Sequence, residues 1–232
     1  MSKYIAVIPA RGGSKRIPLK NIRNFLGKPI IAYTIQVARS SGLFDEIMVS
    51  TDNNEIAKVA KDYGATVPFM RSERNSDDFT GPGDVVYEVL QEYEKEGREF
   101  EMGCCLLPTA PLMTVESLQS AYKLINESEF EVVFPIAKFD YPIWRSLRME
   151  VDGTVRMNFP EFEKSRSQDL EEAYHDAGQF YWFKKSSFYE LSNKNLFGNV
   201  KGSIKVDSML IQDIDTEEDW NLAEFKARYL GN

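Results

Sequence analysis

The stretch IAVIPARGGSKR, from Ile5 to Arg16, joins a short apolar run to a basic loop that contains two glycines. The apolar run is typical of a buried β-strand. The loop carries three cations within six residues, Arg11, Lys15 and Arg16. Ligands of open α/β sheets bind beyond the carboxyl ends of the strands, and glycines let backbone N–H groups approach an anion closely. We therefore expect an anion-binding loop here, with a solvated basic loop as the alternative.

Two common phosphate-binding patterns do not fit this loop. A Walker A loop ends in Gly-Lys-Ser/Thr, whereas here Ser14 precedes Lys15 and Arg16 follows it. A dinucleotide-binding fingerprint needs three glycines, and the loop has only Gly12 and Gly13. What remains is a strand followed by a flexible loop whose cations are suited to hold phosphate oxygens.

Strand-like and helix-like segments alternate along most of the chain. Predicted strands cover residues 5–9, 46–50, 103–107 and 132–135, and predicted helices cover residues 29–40, 54–63, 83–94 and 115–126. The main sheet resumes near residues 179–183, and a last strand at residues 209–214 precedes a helix at residues 217–229. This order predicts an α/β fold, with a Rossmann-like, mainly parallel sheet flanked by helices, in a single domain of residues 1–232.

The alternation stops between residues 137 and 167, where aromatic residues and prolines are frequent. The dipeptide Asp152-Gly153 in this stretch is a hairpin signal. We predict a small antiparallel excursion from the main sheet, whose apolar surface packs on a second subunit to form a homodimer. The alternative is that these side chains cover only the chain's own core.

The composition limits the classes of partner. The chain has 232 residues and a net charge of -8, so a general nucleic-acid-binding surface is not expected. Cys104 and Cys105 are adjacent and should act as small hydrophobes on opposite faces of a strand. The single histidine, His175, gives no zinc site. With no signal peptide and no apolar run long enough to cross a bilayer, we expect a cytoplasmic protein without membrane contacts.

A second group of charged residues lies near the other end of the chain, in the stretch from Gln212 to Thr216. On the predicted strand, Asp213 and Asp215 would face the same side, and two like charges so close need a cation. A hard divalent cation such as Mg²⁺, held by carboxylates and substrate phosphates, meets this need. The alternative is a strand end with two exposed acids before a capped helix. Combined with the basic loop, the pair indicates a nucleoside triphosphate and a metal ion.

Three stretches, in chain order, resemble the nucleotide-sugar cytidylyltransferases, especially the CMP-sialic acid synthetase group. They are IPARGGSKRIPLKN at residues 8–21, LLPTAPL at residues 106–112 and QDIDTEEDW at residues 212–220. The resemblance implies transfer of CMP from CTP to an acidic sugar, and it also implies a homodimer. The implied nucleotide-binding residues are Arg11, Gly12, Gly13, Ser14, Lys15, Arg16, Asn21, Arg71 and Thr80. Among them, Asn21 and Arg71, together with the loop of residues 78–83, match the region that holds cytosine and ribose in the family. The implied catalytic residues are Lys20, Asp213 and Asp215, and the two aspartates are also the expected ligands of a Mg²⁺ cofactor.

Within this group, residues 166–183 look most like the branch that acts on pseudaminic acid, a nine-carbon acidic sugar. Sialic acid synthetases usually carry an R-P-N-G-like stretch where this chain has residues 175–179, and Leu107 replaces their glutamine. The resemblance therefore implies CMP-pseudaminic acid and pyrophosphate as products, for bacterial surface or flagellar glycosylation. The implied sugar-binding residues are Gln168, Asp169, Tyr174, His175, Asp176, Gln179 and Tyr181. The alternatives are another nonulosonic acid, legionaminic or sialic acid, and a non-catalytic nucleotide-sugar sensor.

Overall fold

The fold is built on eleven strands and six α-helices in residues 3–190 and 194–231, the part of the chain that the computed structural model describes. The strands are β1 (Tyr4–Pro9), β2 (Asn24–Phe25), β3 (Lys28–Pro29), β4 (Glu46–Ser50), β5 (Met102–Leu106), β6 (Val132–Lys138), β7 (Leu147–Met149), β8 (Val155–Met157), β9 (Tyr174–Asp176), β10 (Phe180–Lys184) and β11 (Lys201–Lys205). The helices are α1 (Ile30–Ser41), α2 (Asn54–Asp62), α3 (Pro82–Lys95), α4 (Val115–Asn126), α5 (Lys185–Glu190) and α6 (Glu217–Tyr229).

Seven of the strands form one mixed sheet in the order β11-β6-β10-β5-β1-β4, with β9 also paired to β6. Strand β1 is parallel to β4 and β5, and β11 is parallel to β6. Strand β10 is antiparallel to both β5 and β6, so β1, β4, β5, β6 and β11 all point the same way. The prediction of a mainly parallel sheet is confirmed, and β9 and β10 are its reversed strands.

Helices cover both faces of this sheet. Buried residues of α1, α2 and α4 pack on one face, together with Cys104. Buried residues of α3 and α5 pack on the other face, together with Cys105. The two cysteines therefore lie on opposite faces as predicted, because successive side chains of a strand alternate. No helix in the described ranges is both long and apolar enough to cross a membrane.

Helix α6 brings the two ends of the chain together. It begins with a capping box, in which the side chains of Thr216 and Asp219 each bond to the other's backbone N–H. Trp220 on this helix packs in a buried cluster with Ile17, which follows the basic loop, and with Ile214. Packing of α6 therefore holds the basic loop next to the acidic segment.

The predicted strand at residues 209–214 is wrong. A short 3₁₀ turn spans Ser208–Leu210, and an irregular segment follows it. Ile211 and Ile214 are buried in different clusters, which explains why the sequence looks like a strand. The last strand of the sheet is instead β11, which the prediction missed because its ends are exposed lysines and Gly202 interrupts it. Such charged residues are typical of edge strands.

The predicted excursion begins one residue after β6, at residue 139, rather than at Ala137, because Ala137 pairs with His175 of β9 within the main sheet. Strands β7 and β8 form an antiparallel hairpin around the predicted turn. Leu147 lies opposite Met157 and Met149 lies opposite Val155, so these four side chains share one face. Leu147, Met149 and Val155 are exposed, and the hairpin thus has an uncovered apolar face.

Candidate active site

The basic loop follows the carboxyl end of β1 and is held by two side chains from other segments. Asp52, just after β4, accepts a hydrogen bond of 2.8 Å from the backbone N–H of Gly12. Asn21 is buried, and its Nδ2 donates to the carbonyl oxygen of Arg11 at 2.9 Å. Asn53 packs so closely on Gly12 that a Cβ at this position would lie 3.0 Å from the Asn53 Cβ. A side chain at this position would therefore require Asn53, in the turn before α2, to move by a few tenths of an ångström.

A cavity of about 350 Å³ opens beside this loop. Four cations line it, Arg11, Lys15, Arg16 and Lys20. Ser14, Ile17, Asp78 and Asp215 complete its wall. The concentration of positive charge in one concave site, within an acidic protein, is suited to a polyanion such as a triphosphate.

Asp78 forms ion pairs with two of these cations. Arg11 Nη1 lies 2.6 Å from Asp78 Oδ1, and Lys15 Nζ forms an ion pair with the other carboxylate oxygen. Hydrogen bonds from Lys15 and Arg11 hold the pKa of Asp78 below its ordinary value. Asp78 therefore offsets the charge of two of the four cations that line the cavity.

The acidic segment meets the loop at Lys20. Lys20 Nζ donates to the carbonyl oxygen of Ile214 at 2.5 Å and lies 3.8 Å from Asp215 Oδ1. Burial lowers the pKa of Lys20, while the charges of Asp215 and Asp213 oppose this shift. The two aspartates are not on a strand, so the alternation argument for their common side is wrong. The cation that pairs with Asp215 here is a lysine, and the predicted divalent cation between the two aspartates stays a prediction.

A second, larger cavity of about 790 Å³ lies on the other side of the acidic segment. Asp213 lines this cavity, whereas Asp215 lines the smaller one. The break between β9 and β10 forms one wall, which includes His175, Asp176 and Tyr181. The acidic segment therefore runs between the two cavities, both at the edge where the parallel strands end.

Asp176 is fixed within that wall. Its Oδ1 accepts from the backbone N–H of Gly178 at 2.9 Å, and its Oδ2 accepts from the hydroxyl of Tyr181 at 2.5 Å. Burial and the hydrogen bond to Asp176 raise the pKa of Tyr181 well above its ordinary value. The ring of His175 packs against Phe139 with centroids 4.9 Å apart. The wall therefore offers polar groups in a fixed arrangement.

Several residues predicted to contact the sugar do not line the larger cavity. Gln168 lines an adjoining cavity of about 320 Å³ that shares Lys138, Phe139 and Asp140 with it. Asp169 pairs with Arg166, and Tyr174 bonds to Glu172 and Lys205. Gln179 is buried and donates to the carbonyl oxygen of Leu210 at 2.6 Å. Gln179 thus supports the turn behind the cavity.

The predicted base and ribose contacts lie behind the basic loop. Arg71 is buried, and its Nε donates to Ser50 Oγ at 3.0 Å. Burial lowers the pKa of Arg71 to about 10. Thr80 bonds to Asp77 within the loop that also carries Asp78. The smaller cavity is not lined by five of the predicted nucleotide-binding residues, which are Gly12, Gly13, Asn21, Arg71 and Thr80.

The family of this chain follows from a comparison of its whole length with known proteins. The sequence profile of the family described as "Cytidylyltransferase" matches residues 5–218, which include both loops and the acidic segment. The chain belongs to the cytidylyltransferase family.

Two curated relatives support this assignment, and one solved structure shares the fold. The chain is 40% identical to "Pseudaminic acid cytidylyltransferase" of Campylobacter jejuni, over 96% of this chain and 95% of the relative. It is 34% identical to "CMP-N,N'-diacetyllegionaminic acid synthase" of Legionella pneumophila, over 96% and 95%. A CMP:2-keto-3-deoxy-manno-octonic acid synthetase, solved as a complex with CTP, has a TM-score of 0.70 over 99% of both chains at 15% identity. The last comparison shows the shared fold alone.

The donor set of this cytidylyltransferase fits Mg²⁺ only as a site shared with a substrate. Within residues 3–190 and 194–231, no three acidic, histidine or cysteine side chains lie together as a metal cluster. Mg²⁺ commonly takes one or two carboxylates and completes its shell with substrate phosphates and water. Asp215 lines the cationic cavity and would be one such carboxylate, whereas Asp213 lines the larger cavity.

Sequence reasoning missed several charged residues of the cytidylyltransferase site. Asp78 was expected only as part of a loop, and Asp52 was not singled out. Lys138, Asp140 and Lys226 line the larger cavity without having been predicted. Lys138 ends a strand at the ligand-binding edge of the sheet, which could have indicated it. Lys226 carries no such signal, because it is one of several charged residues on a terminal helix.

Proposed function

We propose that the protein transfers CMP from CTP to the anomeric hydroxyl of pseudaminic acid and releases pyrophosphate. The observation that carries this proposal is that the acidic segment contributes to two cavities, with Asp215 lining the smaller one and Asp213 lining the larger one. One cavity collects cations beside a glycine-containing loop, and the other presents fixed polar groups around a space large enough for a sugar. Such a pair of sites suits the transfer of a phosphoryl group between a triphosphate and a hydroxyl.

CTP would bind with its triphosphate in the smaller cavity. Arg11 and Lys15 are already positioned on an anion, the carboxylate of Asp78. A triphosphate would replace Asp78, because it offers more charge and more acceptor oxygens to the same donors. Cytosine and ribose would then lie toward Asn21, Arg71 and the loop with Thr80, which remains the proposal drawn from the resemblance.

The chemical step needs a nucleophile in line with the departing pyrophosphate. The sugar hydroxyl would attack the α-phosphorus from the side of the larger cavity, and Lys20 would stabilise the charge that develops on the phosphate. Asp213 and Asp215 would hold Mg²⁺ with the triphosphate oxygens, and the metal supplies further charge stabilisation when bound. Asp213 lines the sugar side, so it is the carboxylate of the pair that we assign to receive the hydroxyl proton.

The choice of sugar rests on the segment that forms the wall of the larger cavity. His175, Asp176 and Tyr181 are the predicted sugar contacts that line it. The relative of 40% identity is named for pseudaminic acid and that of 34% for a legionaminic acid, which favours the first sugar and keeps the second as the alternative. Because the loop cations and both aspartates are present, a non-catalytic sensor is the less favoured hypothesis.

We also propose that the hairpin β7–β8 pairs with a second copy of the chain. A two-stranded hairpin is marginally stable alone, and this one leaves Leu147, Met149 and Val155 exposed on one face. Some of the nearby aromatic residues already pack within the chain, since Trp144 contacts Phe159 and Phe162. The aliphatic face of the hairpin is therefore the stronger argument for a dimer. A single domain and a cytoplasmic location remain predictions.

Pyrophosphate release tests the proposed function. The protein is incubated with CTP and Mg²⁺, with and without pseudaminic acid. Release that depends on the sugar, together with a product of the mass of CMP-pseudaminic acid, would support the proposal. Binding of CTP without release of pyrophosphate, in the presence of pseudaminic, legionaminic or sialic acid, would favour the non-catalytic sensor.

A further inference from the structure

The larger cavity is lined by more acidic side chains than lysines. Five charged side chains line it, Lys138, Asp140, Asp176, Asp213 and Lys226. An acidic sugar brings its own carboxylate into this space, and a buried anion is costly unless a cation pairs with it. One of the two lysines must therefore be able to accept a new anionic partner.

The two lysines differ in their present partners. Lys138 Nζ lies 2.5 Å from Glu172 Oε1, so a carboxylate of the protein already offsets its charge. In the described part of the chain, Lys226 forms no ion pair. Its Nζ donates to the carbonyl oxygens of Ser208 at 3.1 Å and Ile211 at 2.7 Å. An ammonium group has three N–H donors, so one donor and the full charge remain for a ligand.

Within the described residues, none of the three acids that line the cavity forms an ion pair with Lys226. Asp176 has both carboxylate oxygens engaged by Gly178 and Tyr181. Burial lowers the pKa of Lys226, and the charge of Asp140 opposes that shift without forming an ion pair. A bound carboxylate would compensate the half-buried charge of Lys226, because an opposite charge favours the ionised form of a lysine.

We propose that Lys226 binds the carboxylate of the acidic sugar. This assignment rests on the proposed function and names the residue that recognises the acid. In a sugar derived from a 2-keto acid, the carboxylate is bonded to the anomeric carbon. Holding the carboxylate therefore orients the hydroxyl that attacks CTP. The bonds of Lys226 to Ser208 and Ile211 also tie α6 to the turn that precedes Asp213.

The test compares pseudaminic acid with its C1 carboxamide, which keeps the shape and removes the charge. The wild type should prefer the acid by about ten- to a hundredfold in kcat/KM, the usual effect of a charge-assisted hydrogen bond. Lys226→Gln keeps a donor for the two carbonyl oxygens without the charge, and Lys226→Met keeps only the stem. Both variants should use acid and amide about equally, with KM for CTP within about twofold of the wild type.

The control is Lys58→Gln, on the exposed surface of α2, which should retain the full preference for the acid. A Lys226 variant that folds and still prefers the acid as strongly as the wild type would overturn the assignment. If neither variant folds, the wild type and Lys138→Gln decide. Equal use of acid and amide by the wild type, or loss of the preference for the acid in Lys138→Gln, would contradict the assignment. A wild type that uses no acidic sugar would instead contradict the proposed function.

Discussion

Arg16 and Asp215 form an ion pair of 2.9 Å although 199 positions separate them in the chain. The contact joins the basic loop after β1 to the acidic segment before α6. Next to this ion pair in the sequence, Ile17 and Ile214 pack in one buried cluster with Trp220. Charges of opposite sign from the two ends of the chain thus meet in the wall of the cationic cavity.

Removal of a loop cation should impair the use of CTP. Arg11→Ala and Lys15→Ala each remove a predicted phosphate contact from an accessible loop, so the fold should be retained. We expect kcat/KM for CTP to fall by about one to two orders of magnitude. Steady-state kinetics measure this, with Lys58→Ala on α2 as the control for loss of a surface charge. Normal turnover of CTP by both loop variants would refute the phosphate assignment.

The two aspartates should each be essential for chemistry. Asp213→Asn and Asp215→Asn keep the side-chain shape and remove the charge, so most activity should be lost and the Mg²⁺ dependence should weaken. Glu218→Gln removes an exposed carboxylate a few residues away and should have little effect. The measurements are activity across a Mg²⁺ titration and thermal unfolding. Wild-type turnover in either aspartate variant would support the alternative, in which the two aspartates are exposed acids without a role in catalysis.

Asp78→Asn should lower KM for CTP. The carboxylate of Asp78 competes with the triphosphate for Arg11 and Lys15, and the amide would compete less. We expect a modest, severalfold fall in KM that shrinks as salt is added, because exposed ion pairs are weak and screened. Glu73→Gln, in the preceding turn, is the matched control. A rise in KM would mean that Asp78 helps to bind CTP.

How far the sequence predicts this structure depends on where each residue is buried. Strand β1 and the strand with Cys104 and Cys105 are buried on both faces, so they appear as continuous apolar runs. The basic loop could be placed because it follows such a strand. The strand at residues 209–214 was predicted wrongly because Ile211 and Ile214 are buried although their segment is irregular. Buried apolar residues in such a segment have the same sequence pattern as a short strand.

The larger cavity was harder to predict than the basic loop. Its wall combines the break between β9 and β10, the end of β6, the acidic segment and one lysine of α6. Tyr174 and Tyr181 lie in the same stretch, yet only Tyr181 lines the cavity. This depends on how β9 and β10 pair with β6, and pairing between distant segments leaves no mark in a single sequence.

The exposed face of hairpin β7–β8 should hold a dimer together. Light scattering at micromolar concentration should give the mass of two chains for the wild type. Met149→Lys places a charge on the apolar face and should give a monomer, since a buried unpaired charge is costly. Arg156→Gln, on the opposite face of the hairpin, should remain a dimer. A monomeric wild type would exclude this interface.

Choice of the acceptor sugar tests the account most directly. Pyrophosphate release from CTP is measured with pseudaminic, legionaminic and sialic acids in parallel, at equal concentrations and with the same wild-type protein. Because His175, Asp176 and Tyr181 form a fixed polar wall, a sugar with different stereochemistry would leave some of these groups unpaired. We predict that kcat/KM is highest for pseudaminic acid and that its CMP conjugate is the product. Equal or faster turnover of sialic or legionaminic acid would contradict the assigned sugar, and no release with any of the three would contradict the assigned reaction.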